Sequence, residues 1–201
     1  MNLKKTLSRI GLALSVMAIV SAVLVALAWW YFHPRHIRAN GIQYGVRDGR
    51  PLTLDVLYPS HPNGIPVALM VSGSWKSGAP GSLPSWFVAP LLRRGYTVFA
   101  VCHVSQPDAS VQDIFSDVQR GIRFIRAHAA EHGVRPDRIG VTGGSAGGHL
   151  SLLLATRADP GRPDSPDPVE RHSSAVQAVA IFYPDRKSTR LNSSHANISY
   201  A

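Results

Sequence analysis

The sequence predicts an α/β domain in which a mostly parallel β-sheet carries helices on both faces. Short apolar runs rich in β-branched residues alternate along the chain with longer amphipathic stretches, which is typical of βαβ units. The 201 residues are enough for one domain of ordinary size or slightly more. Apolar residues make up 45% of the chain and charged residues 16%, which excludes a disordered or collagen-like protein.

The predicted elements follow one another in a regular order. The strands are the alternating or continuous apolar runs at 52–58, 67–72, 96–102, 138–142 and 176–182. The helices between them are predicted at 86–94, 111–128 and 146–157. One face of the second helix collects the apolar residues Val111, Ile114, Val118, Ile122 and Ile125. The Pro-, Asp- and Ser-rich stretch 159–174 has no apolar period, which indicates a loop.

An uncharged apolar segment begins at Ile10 and ends at Phe32, directly after a short basic stretch. Its 23 residues, at about 1.5 Å per helical residue, reach roughly across the hydrocarbon core of a bilayer. Trp29 and Trp30 lie where an aromatic belt would. The sequence therefore predicts that residues 1–38 are a basic segment and a single-pass anchor in the inner membrane, with the domain on the periplasmic or extracytoplasmic side.

A cleaved signal peptide is the alternative for this segment. Ala26-Leu27-Ala28 offers small residues at a possible cleavage site, and the domain would then be secreted. A buried core helix is disfavoured because the segment has no polar face.

The charge distribution argues against a nucleic-acid partner. The formal net charge is +9, but residues 1–38 account for five of these charges and residues 185–201 for two. The middle of the chain is therefore nearly balanced and carries no basic footprint. Cys102 is the single cysteine, so no intrachain disulfide can form, and no Cys/His cluster indicates a metal site. No cofactor is expected.

The motif that carries chemistry is Gly143-Gly144-Ser145-Ala146-Gly147, a G-x-S-x-G sequence between a predicted strand and a predicted helix. This is the context of a nucleophile elbow, a turn so tight that the serine backbone is strained. Side chains at the flanking glycines would collide with the neighbouring strand and helix. The pattern predicts Ser145 as a nucleophile at the carboxyl edge of the sheet and the Ala146 N–H as an oxyanion donor. A phosphate-binding loop is excluded because neither GxGxxG nor GxxxxGK is present.

The second oxyanion donor is expected from the loop after the strand at 67–72. This loop reads VSGSW, and the N–H of Gly73 or that of Ser74 would point towards the substrate carbonyl. A plain turn between strand and helix is the alternative for this loop. Trp75 is interpreted as packing that holds the loop in place.

The stretch GGSAGGHLSLLLAT, with VRPDRIGVT before it, resembles the α/β-hydrolase superfamily. The nearest branch is that of the bacterial esterases and acetyl esterases, with hormone-sensitive-lipase and feruloyl-esterase-like relatives. The resemblance covers about residues 42–184, the N-terminal two thirds of the usual domain. It implies hydrolysis of carboxylic esters by a Ser, an Asp or Glu and a His in that chain order, with Ser145 as the nucleophile. The oxyanion loop of the family is usually HGG-like, whereas VSGSW keeps one glycine and no histidine.

The same resemblance places the catalytic acid and base after Phe182, so the chain is interpreted as a truncated hydrolase without its general base. Residues before Ser145, and His149 just after it, are poor candidates to replace the missing acid and base. His103 and His149 are interpreted as packing or capping residues, and Cys102 as a small core residue. Asp113 and Asp117 are expected to be solvated charges on the polar side of a helix.

The last seventeen residues, 185–201, differ in character from the rest. They resemble, residue for residue, the translation of a common short-read sequencing adapter, with Ala196-Asn197 at the position of a sample index. An ordinary polar tail is the alternative. The domain is therefore expected to span residues 39–184, and Asp185 and His195 are not recruited as catalytic groups.

Together these features predict a membrane-anchored or exported serine esterase, inactive as this fragment. Three alternatives stay open: a peptidase of the prolyl-oligopeptidase type, a non-catalytic membrane-tethered domain on the same scaffold, and a fragment that does not fold stably. The last one follows from the unpaired sheet edge expected at 176–182.

Overall fold

The computed structural model describes residues 3–78, 81 and 83–184. The 185–201 tail therefore lies outside the described residues. The helices are α1 (Leu3–Phe32), α2 (Ser85–Arg93), α3 (Val111–Ala127), α4 (Ala146–Thr156) and a short 3₁₀ helix (Pro168–Arg171). The strands are β1 (His36–Arg47), β2 (Arg50–Pro59), β3 (Pro66–Met70), β4 (Ser72–Gly73), β5 (Lys76–Ser77), β6 (Thr97–Val101), β7 (Gly140–Gly144) and β8 (Ala178–Phe182).

Six strands form one sheet in the order β1-β2-β6-β3-β7-β8. The strands from β6 to β8 run parallel, whereas β1 and β2 form an antiparallel hairpin and β2 joins β6 antiparallel. The carboxyl ends of β3 and β7 therefore meet at one edge of the sheet, which is where open α/β sheets bind ligands. Among the strands of the described residues, β8 lies at the edge of the sheet as predicted, paired with β7 on one side and largely exposed.

Helices cover both faces of the sheet, as predicted. The larger apolar cluster joins alternate sheet residues such as Ala68 and Phe99 to α3 and α4. A smaller cluster joins the intervening residues, such as Leu69 and Val98, to α2 on the opposite face. This division follows from the period of two in β-strands, because successive side chains point to opposite faces. The fully buried β3 and β6 are the continuous apolar runs of the sequence.

The long helix α3 has the apolar face that its sequence predicts, since all five of the residues in that face are buried. A capping box begins it, in which the Ser110 side chain accepts from the Asp113 N–H and the Asp113 carboxylate accepts from the Ser110 N–H. The expectation of solvated charge holds for Asp113 but is wrong for Asp117, which is 2% exposed. The strand β1 covers Asp117, and the Arg47 Nε of that strand donates to its Oδ1 at 2.6 Å.

The stretch 159–174, predicted as an irregular loop, contains the 3₁₀ helix and is tied to α3 by one buried carboxylate. Glu170 accepts from Arg120 at 2.7 Å, from Arg162 at 2.9 Å and from Arg123 at 3.2 Å. Arg123 also pairs with Asp159 at 2.8 Å. Charge pairing, rather than an apolar period, therefore holds this segment against the domain.

Stability is expected to fall in acid partly through Glu170. Burial by itself would raise the pKa of Glu170, but hydrogen bonds from Arg120 and Arg162 and the charge of Arg123 lower it below the ordinary value of 4.5. A carboxyl whose pKa is lowered by folding stabilises the protein above its unfolded pKa, and this contribution is lost as the pH falls through the folded pKa. Urea titrations at pH 7 and below pH 4.5 measure the loss.

The variant Glu170→Gln isolates this contribution. At pH 7 it is expected to lower the free energy of unfolding by about 3 kcal/mol, because it leaves three guanidinium groups without their shared carboxylate. The difference between the wild type and the variant should shrink as the pH falls below 4.5. A constant difference across that range would show that Glu170 is not the titrating group.

Candidate active site

Ser145 occupies the turn between β7 and α4 and has backbone angles of φ 54° and ψ −122°. Non-glycine residues rarely adopt this conformation, and it persists only where surrounding structure enforces it. The backbone of the turn is held on both sides. The Ser145 N–H donates to the Phe182 carbonyl at 3.1 Å, and the His149 N–H donates to the Ser145 carbonyl at 3.0 Å. The geometry is that of a sharp strand–turn–helix elbow, as the G-x-S-x-G sequence predicts.

The flanking glycines are required by close backbone approaches. A Cβ at Gly143 would lie 2.5 Å from the carbonyl carbon and oxygen of Gly147. A Cβ at Gly147 would lie 2.5 Å from the carbonyl oxygen of Met70, the last residue of β3. The absence of these side chains lets the first turn of α4 pack directly against the ends of β3 and β7. Gly144 is less crowded by backbone, since the atom nearest to a Cβ placed there would be the Tyr183 hydroxyl oxygen at 3.3 Å.

This packing brings the start of α4 close to the loop that the sequence assigns to oxyanion binding. Ala146 is fully buried at the first helical position, where N–H groups lack intrahelical acceptors and the helix dipole is positive. The carbonyl of Ser72 lies 3.4 Å from the position of a Cβ on Gly147. The elbow and the loop after β3 are thus direct neighbours.

The loop after β3 is a small β-hairpin formed by β4 and β5. Its two turn residues, Ser74 and Trp75, have φ angles of 50° and 63°. Positive φ at both central residues is characteristic of a type I′ turn. The hairpin is anchored by Trp75, whose buried ring contacts the His149 ring at 5.5 Å between centroids. The Trp75 backbone carbonyl accepts from the Gln106 N–H at 3.1 Å. Trp75 therefore holds the loop in place by packing, as the sequence predicts.

Ser145 opens into a cavity of about 450 Å³. Gly73 and Gly144 line this cavity together with the apolar side chains Leu83, Phe87 and Tyr183. Of the two candidate donors in the hairpin, Gly73 borders the cavity, whereas Ser74 lies at the exposed tip of the turn and is not part of the lining. Ser145 and Gly73 thus share this cavity, whereas Ser74 is outside its lining. Ala146 directly follows Ser145 in the chain but is buried and does not line the cavity.

A second, larger cavity of about 880 Å³ lies between α2 and the edge of the sheet at β8. Its lining is mainly apolar, with Trp86, Phe87 and Phe182 on one side. Ser145 does not border it. By volume alone this groove would be the candidate active site. The smaller cavity is chosen instead, because Ser145 with its strained backbone and the N-terminus of α4 lie beside it.

Two residues of this region were not identified from the sequence. Tyr183 directly follows β8, has a φ of 33° and covers Gly144 with its ring. Asp55, buried on β2, accepts from the Gly41 and Gly81 N–H groups at 2.8 Å each and from Arg38 at 2.7 Å. Asp55 therefore fixes Gly81, which lies in the segment between the hairpin and α2. The sequence offers one signal for Tyr183, namely its position immediately after the last predicted strand. It offers none for Asp55, because its partners are distant in the sequence.

The upstream histidines and the cysteine have packing environments, as expected. His103 is 6% exposed, its Nδ1 donates to the Val104 carbonyl at 2.8 Å, and burial lowers its pKa below the ordinary value. The ring of His149 packs edge-on against Trp75. Cys102 is buried, and this burial raises the pKa of its thiol. Within the described ranges, no group of three or more His, Cys, Asp or Glu side chains could hold a metal ion.

Comparison with protein families identifies the family of this chain. The model of the BD-FAE family matches residues 54–199. The chain belongs to the BD-FAE family. The match contains every element of the candidate active site. It also extends past residue 184, so the assignment of residues 185–201 to an adapter-derived tail stays a prediction.

Curated proteins similar to this BD-FAE chain carry esterase names. One is "Probable carboxylic ester hydrolase LipM" of Mycobacterium tuberculosis, 34% identical over 119 residues, covering 59% of this chain and 27% of that protein. Another is "Probable isoprenylcysteine alpha-carbonyl methylesterase ICMEL1" of Arabidopsis thaliana, 30% identical over 158 residues, covering 77% of this chain and 32% of that protein. The chain thus spans about a third or less of the length of these relatives.

Solved structures agree with the fold of this BD-FAE chain. Esterase 2 of Thermogutta terrifontis, phosphoramylated by tabun, matches with a TM-score of 0.60 and 25% identity, over 75% of this chain and 57% of that chain. The acetyl ester-xyloside bifunctional hydrolase of Caldicellulosiruptor lactoaceticus matches with a TM-score of 0.59 and 27% identity, over 75% and 58%. The prediction of an α/β-hydrolase fold of the esterase type is confirmed.

Proposed function

We propose that this chain is the N-terminal part of a serine hydrolase that cleaves carboxylic esters, with Ser145 as the nucleophile. The observation that carries the proposal is the strained backbone of Ser145 at the start of α4, beside a cavity of about 450 Å³. A serine held in this conformation projects its hydroxyl away from the sheet, towards a bound acyl carbon. The esterase names of the relatives support carboxylic esters as the substrate class.

In the proposed reaction, the Ser145 Oγ attacks the carbonyl carbon of the ester and a tetrahedral oxyanion forms. The N–H groups of Ala146 and Gly73 donate hydrogen bonds to that oxyanion, which is stabilised because the donors are already oriented before the charge develops. The C–O bond to the alcohol then breaks, and water releases the acyl group from Ser145. A general base has to take the Ser145 proton, since an unactivated hydroxyl is a weak nucleophile.

The 201 residues alone are proposed to be inactive. The order of catalytic residues in this superfamily puts the acid and the histidine after β8, and the two upstream candidates, His103 and His149, have packing environments. A fluorophosphonate probe reacts with activated serines, so it should not label Ser145 in this chain. Rapid labelling of Ser145, read out by mass spectrometry, would contradict the proposed inactivity and leave the nucleophile assignment intact.

The substrate class is tested on the longer protein encoded at the same locus. It is expected to hydrolyse short acyl esters such as p-nitrophenyl acetate at least about 100-fold faster than matched peptide p-nitroanilides, because the cavity beside Ser145 is small and mainly apolar. The reverse preference would identify a peptidase. Failure to hydrolyse either class would favour a non-catalytic domain on the same scaffold.

The helix α1 is proposed to anchor the protein in a membrane. Its stretch Arg9–Phe32 is long and apolar enough to cross a bilayer, by length and composition, and none of its most apolar window is buried against the domain. An exposed apolar helix of this kind is stabilised by lipid rather than by water. Sodium carbonate extraction of cell membranes tests the anchor, because an integral protein stays in the pellet and a secreted one does not.

A further inference from the structure

The end of α1 is fixed to the domain by Arg93, the last residue of α2. The Arg93 guanidinium lies 3.8 Å from the centroid of the Trp30 ring. Its Nε donates to the Tyr31 carbonyl at 2.7 Å, and a second N–H donates to the Trp30 carbonyl. The last carbonyls of a helix have no donors within the helix, and a cation is favourable at this end. The domain is therefore seated against α1 rather than suspended on a free tether.

A cavity of about 570 Å³ lies at this junction, and we call its surface the junction cradle. The residues that matter for its chemistry are Trp29, Trp30, His33, Arg35, His61 and Arg93. The chain that forms it is held in place locally. The His33 ring stacks on Trp29 at 4.8 Å between centroids, and the Ser60 hydroxyl donates to the Arg35 carbonyl at 2.8 Å.

The junction cradle is positively charged, and its basic groups face no acidic partner among the described residues. Two guanidinium groups and two imidazoles line it, and none of the carboxylates in the described part of the chain does. Among the residues that the structure describes, neither Arg35 nor Arg93 takes part in an ion pair. The Arg93 donors are directed to backbone carbonyls of α1, whereas the exposed side chain of Arg35 is available to a ligand. Guanidinium groups of this kind favour phosphate, which accepts two parallel N–H donors.

The position of the junction cradle along α1 indicates where that phosphate comes from. The apolar stretch Arg9–Phe32 has 24 residues, which gives roughly 36 Å along the helix axis. Trp29 and Trp30 lie at its end, and tryptophan side chains prefer the headgroup level of a bilayer. A cavity lined by these rings would therefore lie at the depth of the lipid phosphates.

We propose that the junction cradle binds the headgroup phosphate of an anionic phospholipid in the membrane that α1 crosses. Arg35 and His61 donate to the phosphate oxygens, and the Trp30–Arg93 stack forms the floor of the site. An anionic headgroup is preferred over a zwitterionic one, because the same positive charge repels the ammonium of choline. The proposal rests on α1 as a membrane anchor and is independent of ester hydrolysis.

The test uses the 201-residue chain purified in a neutral maltoside detergent. Short-chain phosphatidylglycerol, short-chain phosphatidylcholine and inorganic phosphate are titrated separately, and binding is followed by native mass spectrometry. The wild type is expected to bind phosphatidylglycerol about fivefold more tightly than phosphatidylcholine, because one available basic side chain near a headgroup, here Arg35, contributes roughly 1 kcal/mol. The double variant Arg35→Gln/His61→Gln should lose this preference. Arg138→Gln is the matched control, because Arg138 is also exposed and lies away from the junction cradle.

Each other outcome overturns the proposal. Equal affinity for the two lipids, or an unchanged preference in the double variant, would remove the junction cradle as the binding site. An equal loss in Arg138→Gln would show a general effect of net charge. Inorganic phosphate that binds as tightly as phosphatidylglycerol would indicate a site for free phosphate. None of these readouts depends on catalysis, so their failure is distinguishable from failure of the proposed hydrolysis.

Discussion

Replacing Ser145 by alanine in the longer protein is expected to lower kcat for p-nitrophenyl acetate by at least about 10⁴-fold. The variant removes the atom that forms the acyl-enzyme bond and leaves the donors of the oxyanion hole in place. Alanine also keeps a Cβ at the strained position, so the backbone penalty at φ 54° is unchanged. The free energy of unfolding should therefore change little, and the loss should be one of chemistry rather than of fold.

Ser151→Ala is the matched control for this experiment. Ser151 lies in the same helix, is fully buried and donates to the Gly147 carbonyl at 2.8 Å. Its loss is expected to cost about 1 kcal/mol of stability and to leave kcat within about threefold of the wild type. Equal rates for the wild type and Ser145→Ala would exclude Ser145 as the nucleophile, whatever the fold.

The parts of this molecule that the sequence predicts well are those fixed by local rules. The apolar period of α3 requires only that one helix face meets the sheet, and all its predicted core residues are buried. The elbow around Ser145 is equally local, because its strain and its flanking glycines follow from the tightness of one turn. The continuous apolar runs of β3 and β6 likewise predict burial on both faces of the sheet, because successive residues of a strand point to opposite faces.

The parts that the sequence does not predict depend on contacts between distant residues. The strand β1 is largely exposed and has irregular register with β2 between Ala39 and Ile42, so it has no clean alternation. Asp117 lies on the side of α3 that sequence alone marks as solvated, but it is 2% exposed and is contacted by Arg47 of β1 and by the Val104 backbone. The ordering of the 159–174 stretch likewise depends on Arg120 and Arg123 of α3, which lie 50 and 47 residues before Glu170 in the sequence.

The same distinction applies within the candidate active site. The positions of Ser145 and Ala146 follow from the elbow, whereas the choice between Gly73 and Ser74 depends on how the hairpin turns. The type I′ geometry puts Ser74 at the exposed tip and leaves Gly73 on the strand that borders the cavity. A tight two-residue turn was not part of the sequence prediction, because neither Ser nor Trp is typical at positions with positive φ.

The second large effect is expected from Gly143→Ala, which adds a single methyl group beneath the elbow. Its Cβ would lie 2.5 Å from the backbone of Gly147, a distance that no side-chain rotation can relieve. The first turn of α4 must then move away from β7, and overpacking of this kind costs about 3 kcal/mol. The shift also displaces the Ala146 N–H from the oxyanion position, so kcat in the longer protein should fall about 100-fold.

Gly140→Ala separates this steric effect from a general intolerance of alanine in β7. Gly140 lies three residues earlier in the same strand, and a Cβ there would meet Val67 at 3.7 Å, an ordinary van der Waals contact. It is therefore expected to change the free energy of unfolding by less than about 1 kcal/mol and to preserve activity. Urea titrations and initial rates on both variants provide the comparison. If Gly143→Ala proved as stable and active as Gly140→Ala, the elbow would not be held by the contact between Gly143 and Gly147, and the steric basis for positioning Ser145 would be wrong.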